Sequence, residues 1–153
     1  MAKTSLTVNV RIDGAKEILK ALNQLPKEAN QAVRAESMRL AQALARKGQA
    51  AAVADDAPQS KLLARTVKAR RDRVPVIVAG GTTRIGRGRR KVPAYKLLFG
   101  SEFGSNEHKQ FQRAHSGRKG YWFFPLAEKE GRTVGKAWSK AADRIVRSYG
   151  GDR

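Results

Sequence analysis

No cysteine occurs in this sequence, so neither a disulfide nor a Cys-ligated zinc or redox centre can hold it together. Acidic side chains are scarce: 13 Asp and Glu stand against 32 Lys and Arg, for a formal charge of +19. No apolar run approaches the ~20 residues that span a bilayer, and the opening MAKTSLTVNV lacks the apolar centre of a secretory signal. These lacks predict a protein made in a reducing cytoplasm, with no membrane partner. The charge imbalance is too large for a merely solvated surface and predicts polyanionic or acidic neighbours.

Histidine is equally sparse. His108 and His115 lie in a polar stretch with Glu102 and Glu107 nearby, but without the short spacing of a helical ligand pair or an HExxH arrangement. They read as solvated loop residues. No serine sits in a nucleophile elbow, and Asp55-Asp56, followed by Ala57-Pro58, reads as a helix end and not as a catalytic dyad. No enzyme class emerges, and no catalytic residue, metal or cofactor is expected.

What is present fits one domain. At 153 residues, a chain of this size buries about 68–70% of its unfolded surface and needs no staple. Leu6, Val8, Val10 and Ile12 alternate with polar residues, the period of a half-buried strand. After Asp13-Gly14, the spacing of Ile18, Leu19, Leu22 and Leu25 predicts a short helix over 15–25. Pro26 suits the first turn of a second helix reaching about Val53, with Ala29, Val33, Leu40, Leu44 and Ala51 along its buried stripe. Its many alanines leave a slim surface, and a second alanine face including Ala45 and Ala52 is the candidate subunit contact.

Residues 60–64 have room for one turn. Thr66 to Arg71 and Val74 to Ala79 then read as a hairpin closed at Asp72-Arg73, with Pro75 at an edge or at the first ladder position. Residues 80–92, GGTTRIGRGRRKV, read as a flexible cationic loop in which glycine precludes a regular element. It carries Arg84, Arg87, Arg89, Arg90 and Lys91 as candidate contacts to DNA or to an acidic protein surface. Ala94 to Phe99 predicts a short helix leading to Glu102-Phe103-Gly104. A polar loop over 105–119 follows, with a smaller basic patch at Arg113, Arg118 and Lys119.

Tyr121-Trp122-Phe123-Phe124 reads as a buried last strand, because base-stacking aromatics would sit among basic or polar neighbours. Pro125 then opens a helix to about Tyr149, with Leu126, Val134, Trp138, Ala141 and Ile145 on its stripe and Gly131 and Gly135 weakening its first half. The expectation is α+β: a single domain over 1–153, with a small antiparallel sheet of about four strands packed by a long Ala-rich helix and a C-terminal amphipathic helix.

The order of these segments carries a resemblance. Ile12-Asp13-Gly14, Leu25-Pro26, the alanine-rich helix before Ala57-Pro58 and the stretch Leu62 to Val67 come first. Val92 to Tyr95, Glu102 to Ser105, and Gly120 to Pro125 before a final amphipathic helix complete the set. The chain resembles, over nearly its whole length, the tail-completion proteins of phages with long non-contractile tails, of which the Z-type tail protein of lambda-like phages is a relative in role. It departs from them at Pro58-Gln59-Ser60-Lys61, where a Thr-Gly pair commonly follows the proline, and in the density of arginine over 84–91.

The resemblance implies a non-enzymatic virion protein that forms a sixfold ring at the head–tail junction, around the DNA channel. Its implied partners are further copies of itself, the head-closure ring, the tail terminator or tube, and genomic DNA. Charge alone supports an alternative, a free basic nucleic-acid-binding protein acting through non-specific phosphate contacts.

Overall fold

The computed structural model describes residues 4–150, and the chain forms a single α+β domain. Strand β1 (Ser5–Asn9) leads to helix α1 (Ala15–Leu22) and the long helix α2 (Lys27–Ala54). Helix α3 (Pro58–Leu63) and one 3-10 turn precede β2 (Lys68–Arg70) and β3 (Val76–Gly80). The pair β4 (Arg84–Ile85) and β5 (Val92–Pro93) is followed by α4 (Tyr95–Phe103) and the C-terminal helix α5 (Phe123–Gly150).

The main sheet is antiparallel, ordered β1-β3-β2. Leu6 faces Ala79, and Val8 faces Ile77, which in turn faces Ala69, so one apolar row spans the inner face. The period-two pattern of the first strand is thus realised. On the opposite face Thr7, Val78 and Lys68 lie across from one another, half-buried or exposed. Pro75 stands just before the central strand, where it lacks only an N–H; its carbonyl accepts the Val10 N–H at 3.1 Å.

Helix α2 packs on the inner face, and α5 packs against α2. Ala41, Leu44, Ala45 and Ala52 of α2 join Leu6, Ile77, Leu98, Trp122 and Phe123 in the main core. The far ends of both helices enclose Leu22, Val33 and Trp138 in a second cluster with α1. Small residues set the approach: a Cβ at Gly48 would lie 2.9 Å from Val67, and Gly135 is buried beside Arg11 and Ile12. The buried Trp138 Nε1–H donates to Ser37 Oγ and to the Arg73 carbonyl, both at 2.9 Å, tying α5 to α2 and to the β2–β3 turn.

Three sequence expectations change. Ala45 and Ala52 are core residues, 4% and 0% exposed, and offer no face to a neighbouring subunit. An alanine-rich helix looks alike on several sides, and only the packing chooses among them. Tyr121 to Phe124 is no strand: Phe123 and Phe124 form the first turn of α5, and Trp122 precedes it. The expected burial of that segment does hold for Trp122 and Phe123, at 3% and 0% exposure. Finally, residues 80–92 are not an irregular loop but contain the β4–β5 hairpin, because Ile85 is wholly buried and anchors it.

Candidate functional site

The hairpin is built from its one apolar residue outward. Ile85 plugs into the core beside Ala94 and Leu98, and the ends are stitched by Ala94 N–H to the Thr83 carbonyl (2.7 Å) and Tyr95 N–H to the Gly81 carbonyl (2.9 Å). Arg84 donates across the pair to the Lys91 carbonyl at 2.6 Å, while Arg65 donates to the Arg84 carbonyl at 2.7 Å. Arg87, Arg89, Arg90 and Lys91 are exposed around a single 3-10 turn at Gly88–Arg90. Among the described residues, no carboxylate pairs with Arg84, Arg87, Arg89, Arg90 or Lys91; the ion pairs found are Arg39–Glu36, Lys47–Glu130, Arg113–Asp55 and Arg147–Asp143. The result is a compact cationic knob with no internal counter-charge.

The two motifs at 102–104 and 120–125 turn out to be one device. The fully buried Glu102 carboxylate accepts from the backbone N–H of Phe123 (2.7 Å), Phe124 (3.1 Å) and Trp122 (3.4 Å). Pro125 has no N–H, and Leu126 N–H already reaches the Trp122 carbonyl. Every free donor of the first turn of α5 is therefore satisfied by one carboxylate, in the favourable orientation to the helix dipole. Burial pushes the Glu102 carboxyl up to about 6, against the pull of the Phe123, Phe124 and Trp122 amides, with a smaller upward push from Asp55. Gly120 adopts φ +75 and a Cβ there would overlap Glu102 Oε1; Gly104 adopts φ +74 with the Ala114 carbonyl in its Cβ position. Both glycines let backbone close around the cap.

A nearly buried ion pair secures the polar loop. Arg113 donates to Asp55 Oδ1 at 2.9 Å and to Oδ2 at 2.6 Å, and also to the Ser101 carbonyl. Its guanidinium lies 4.0 Å from the centre of the Tyr121 ring. Tyr121 in turn donates its hydroxyl to the Ala114 carbonyl at 2.7 Å. Arg113, expected among the partner-contacting cations, is thus turned inward and neutralised. Asp55 is the other half of this internal lock, in addition to ending α2.

Arg118 and Lys119 remain exposed, and they line a groove with Arg11 and Arg132, beside the outer edge of β1. This second basic cluster is brought together by the fold alone, since Arg11 and Arg132 are distant in the chain. His108 and His115 do not converge with acids: the His115 Nδ1 accepts the Gly117 N–H at 3.1 Å, and among the described residues no three His, Asp or Glu side chains could hold one metal ion. Among the described residues, no helix is long and apolar enough to cross a membrane. The sequence places Glu102 near the histidines and at the end of a short helix, and its role as the cap of α5 comes from the fold. Its signal was a lone carboxyl inside an apolar segment, Leu97-Leu98-Phe99-Gly100-Ser101-Glu102-Phe103. No protein-family model matches the chain, and neither a curated protein nor a solved structure matches it.

Proposed function

We propose that this chain is a non-enzymatic structural protein of a phage virion, one subunit of a sixfold ring at the head–tail junction. The ring completes the tail and joins it to the head around the DNA channel. The observation that carries the reading is the cationic β4–β5 hairpin, seated on the buried Ile85 and lacking any carboxylate partner among the described residues. The ordered set of segments shared with tail-completion proteins, ending in the capped aromatic start of α5, supports it. Six copies at +19 each carry about +114, a self-repulsion that requires DNA or acidic neighbouring proteins to offset it. Closure of a ring requires head-to-tail contacts; with Ala45 and Ala52 in the core, the hairpin is the remaining contact candidate.

The test uses Arg87→Ser, Arg89→Ser and Arg90→Ser together, which leave Ile85 and both strands in place. Under this reading, heads and tails accumulate as separate particles, and mass spectrometry of purified wild-type particles finds a few copies of the chain in each. Normal infectious particles from the triple variant would overturn the hairpin's role, and particles devoid of the chain would overturn the virion assignment. The same unpaired cations support a second reading, a free nucleic-acid-binding protein. That reading predicts duplex binding whose log affinity falls with log salt at a slope of about −0.9 per neutralised phosphate, and absence from particles.

A further inference from the structure

The outer edge of β1 is open. In the antiparallel register Leu6 faces Ala79 and Val8 faces Ile77, while Gly81 N–H donates to the Thr4 carbonyl and Val10 N–H to the Pro75 carbonyl. Thr4, Leu6, Val8 and Val10 thus spend their backbone groups on β3. By the alternation of a strand, Ser5, Thr7 and Asn9 direct their N–H and C=O the other way. Among the described residues no strand pairs with that side.

The edge does not face a flat surface. It borders a groove of about 1170 Å³ whose far wall is the first half of α5, at Phe124, Ala127 and Gly131. Four cations, Arg11, Arg118, Lys119 and Arg132, stand around it against two acids, Asp13 and Glu128. At its end, Phe124 and Arg118 also line a hollow of about 490 Å³ completed by Leu6, Phe99 and Phe103. Leu6 lies on the inner row of the sheet, so this hollow sits where the inward side chains of an added strand would fall.

We propose that this groove is a docking site for an extended acidic segment of a different protein, which adds as a fourth strand to β1. Its backbone pairs with Ser5, Thr7 and Asn9. Its acidic side chains meet Arg118, Lys119, Arg11 and Arg132, and an apolar side chain enters the Phe99–Phe103–Phe124 hollow. Edge addition supplies main-chain hydrogen bonds, while the pockets set the side-chain preference. Charge selects the partner's chemistry: a second copy of a chain with 32 basic and 13 acidic residues is a poor source of an acidic strand. Nucleic acid fits the cations but not the edge, because phosphates accept hydrogen bonds and cannot serve the outward carbonyls. The proposal stands independently of the ring reading.

The test is fluorescence anisotropy on the full chain with a labelled peptide alternating Glu or Asp with Val, Leu and one Phe. A Lys-for-Glu version, a version N-methylated at alternate amides and a short DNA duplex are run beside it. Expected is saturable binding of the acidic peptide, weakened about tenfold or more by alternate N-methylation, as loss of two or more main-chain hydrogen bonds implies. Arg118→Glu with Lys119→Glu weakens it similarly. Thr7→Pro also weakens it, since that N–H takes no part in the β1–β3 ladder and the variant is expected to fold. Binding unaffected by N-methylation overturns the proposal with the protein itself unaltered. Equal binding of the Lys peptide overturns it too, as does displacement by duplex DNA with no dependence on Thr7→Pro.

Discussion

At the scale of single residues, Glu102 carries the clearest consequence. Its native carboxyl titrates at about 6, above the ordinary 4.5, because burial disfavours the charge more than three amides favour it. Between those values the folded chain holds a proton that the unfolded chain has released. This stabilising contribution is therefore fully present below pH 4.5 and is lost as pH rises through about 6. The gap between 4.5 and about 6 corresponds to about 2 kcal/mol. Urea unfolding of Glu102→Gln, which cannot titrate, should show the stability gap between wild type and variant shrinking by about that amount from pH 4.5 to 7. An unchanged gap would mean the carboxyl is not desolvated as described. Arg113 sets a second expectation: with side chains only 12% and 7% exposed, the Arg113–Asp55 pair leaves a buried charge when one partner goes. Arg113→Ala should lose about 3–5 kcal/mol in chemical denaturation, and Arg113→Met with Asp55→Leu much less.

At the scale of elements, the β4–β5 hairpin shows how one residue can decide the state of a segment. Glycine and arginine predict a loop without regular structure over 80–92, but a single buried isoleucine and two main-chain bonds accompany a short hairpin there. Ile85→Ala should then free the hairpin before it unfolds the domain. The check is amide exchange: the Ala94 and Tyr95 amides, bonded to Thr83 and Gly81, should lose protection while those of β3 keep theirs. Loss of protection throughout would place the hairpin within the global folding unit instead. The aromatic start of α5 is the opposite case. Trp122-Phe123-Phe124 has the β-propensity of a strand, yet a carboxylate twenty-one positions earlier than Phe123 offers its amides a helix cap, and the helix forms.

At the scale of the molecule, helix α2 lies on one face of a three-stranded sheet with α5 packed against it, and among the described residues no further strand pairs with the outer side of β1 or β2. Trp138 bridges α2, α5 and the β2–β3 turn, so it joins the second core to the sheet. Trp138→Ala should cost about 3–5 kcal/mol and lower the thermal midpoint by many degrees. Trp138→Phe, which retains most of the volume but not the indole N–H, should lose far less, and the two together separate packing from hydrogen bonding. If Trp138→Ala unfolded with the wild-type midpoint, the second core would not be part of the cooperative unit.

The amino-acid order alone settled much of what depends on near neighbours and on sums, though not the β4–β5 hairpin or the helical start at Phe123. Two long helices follow from 3-to-4 spacing, the first strand from alternation, the β2–β3 hairpin from its turn, and the absence of disulfide chemistry from composition. Contacts between distant residues were decided only by the tertiary structure. It chose which alanines of α2 face the core, turned Arg113 from a surface cation into the partner of Asp55, and brought Glu102 onto the start of α5. It also gathered Arg11, Arg118, Lys119 and Arg132 around one groove. The physical reason is common to all four: a side chain's burial and charge partner are set by what packs against it, and here the partner comes from a remote part of the chain.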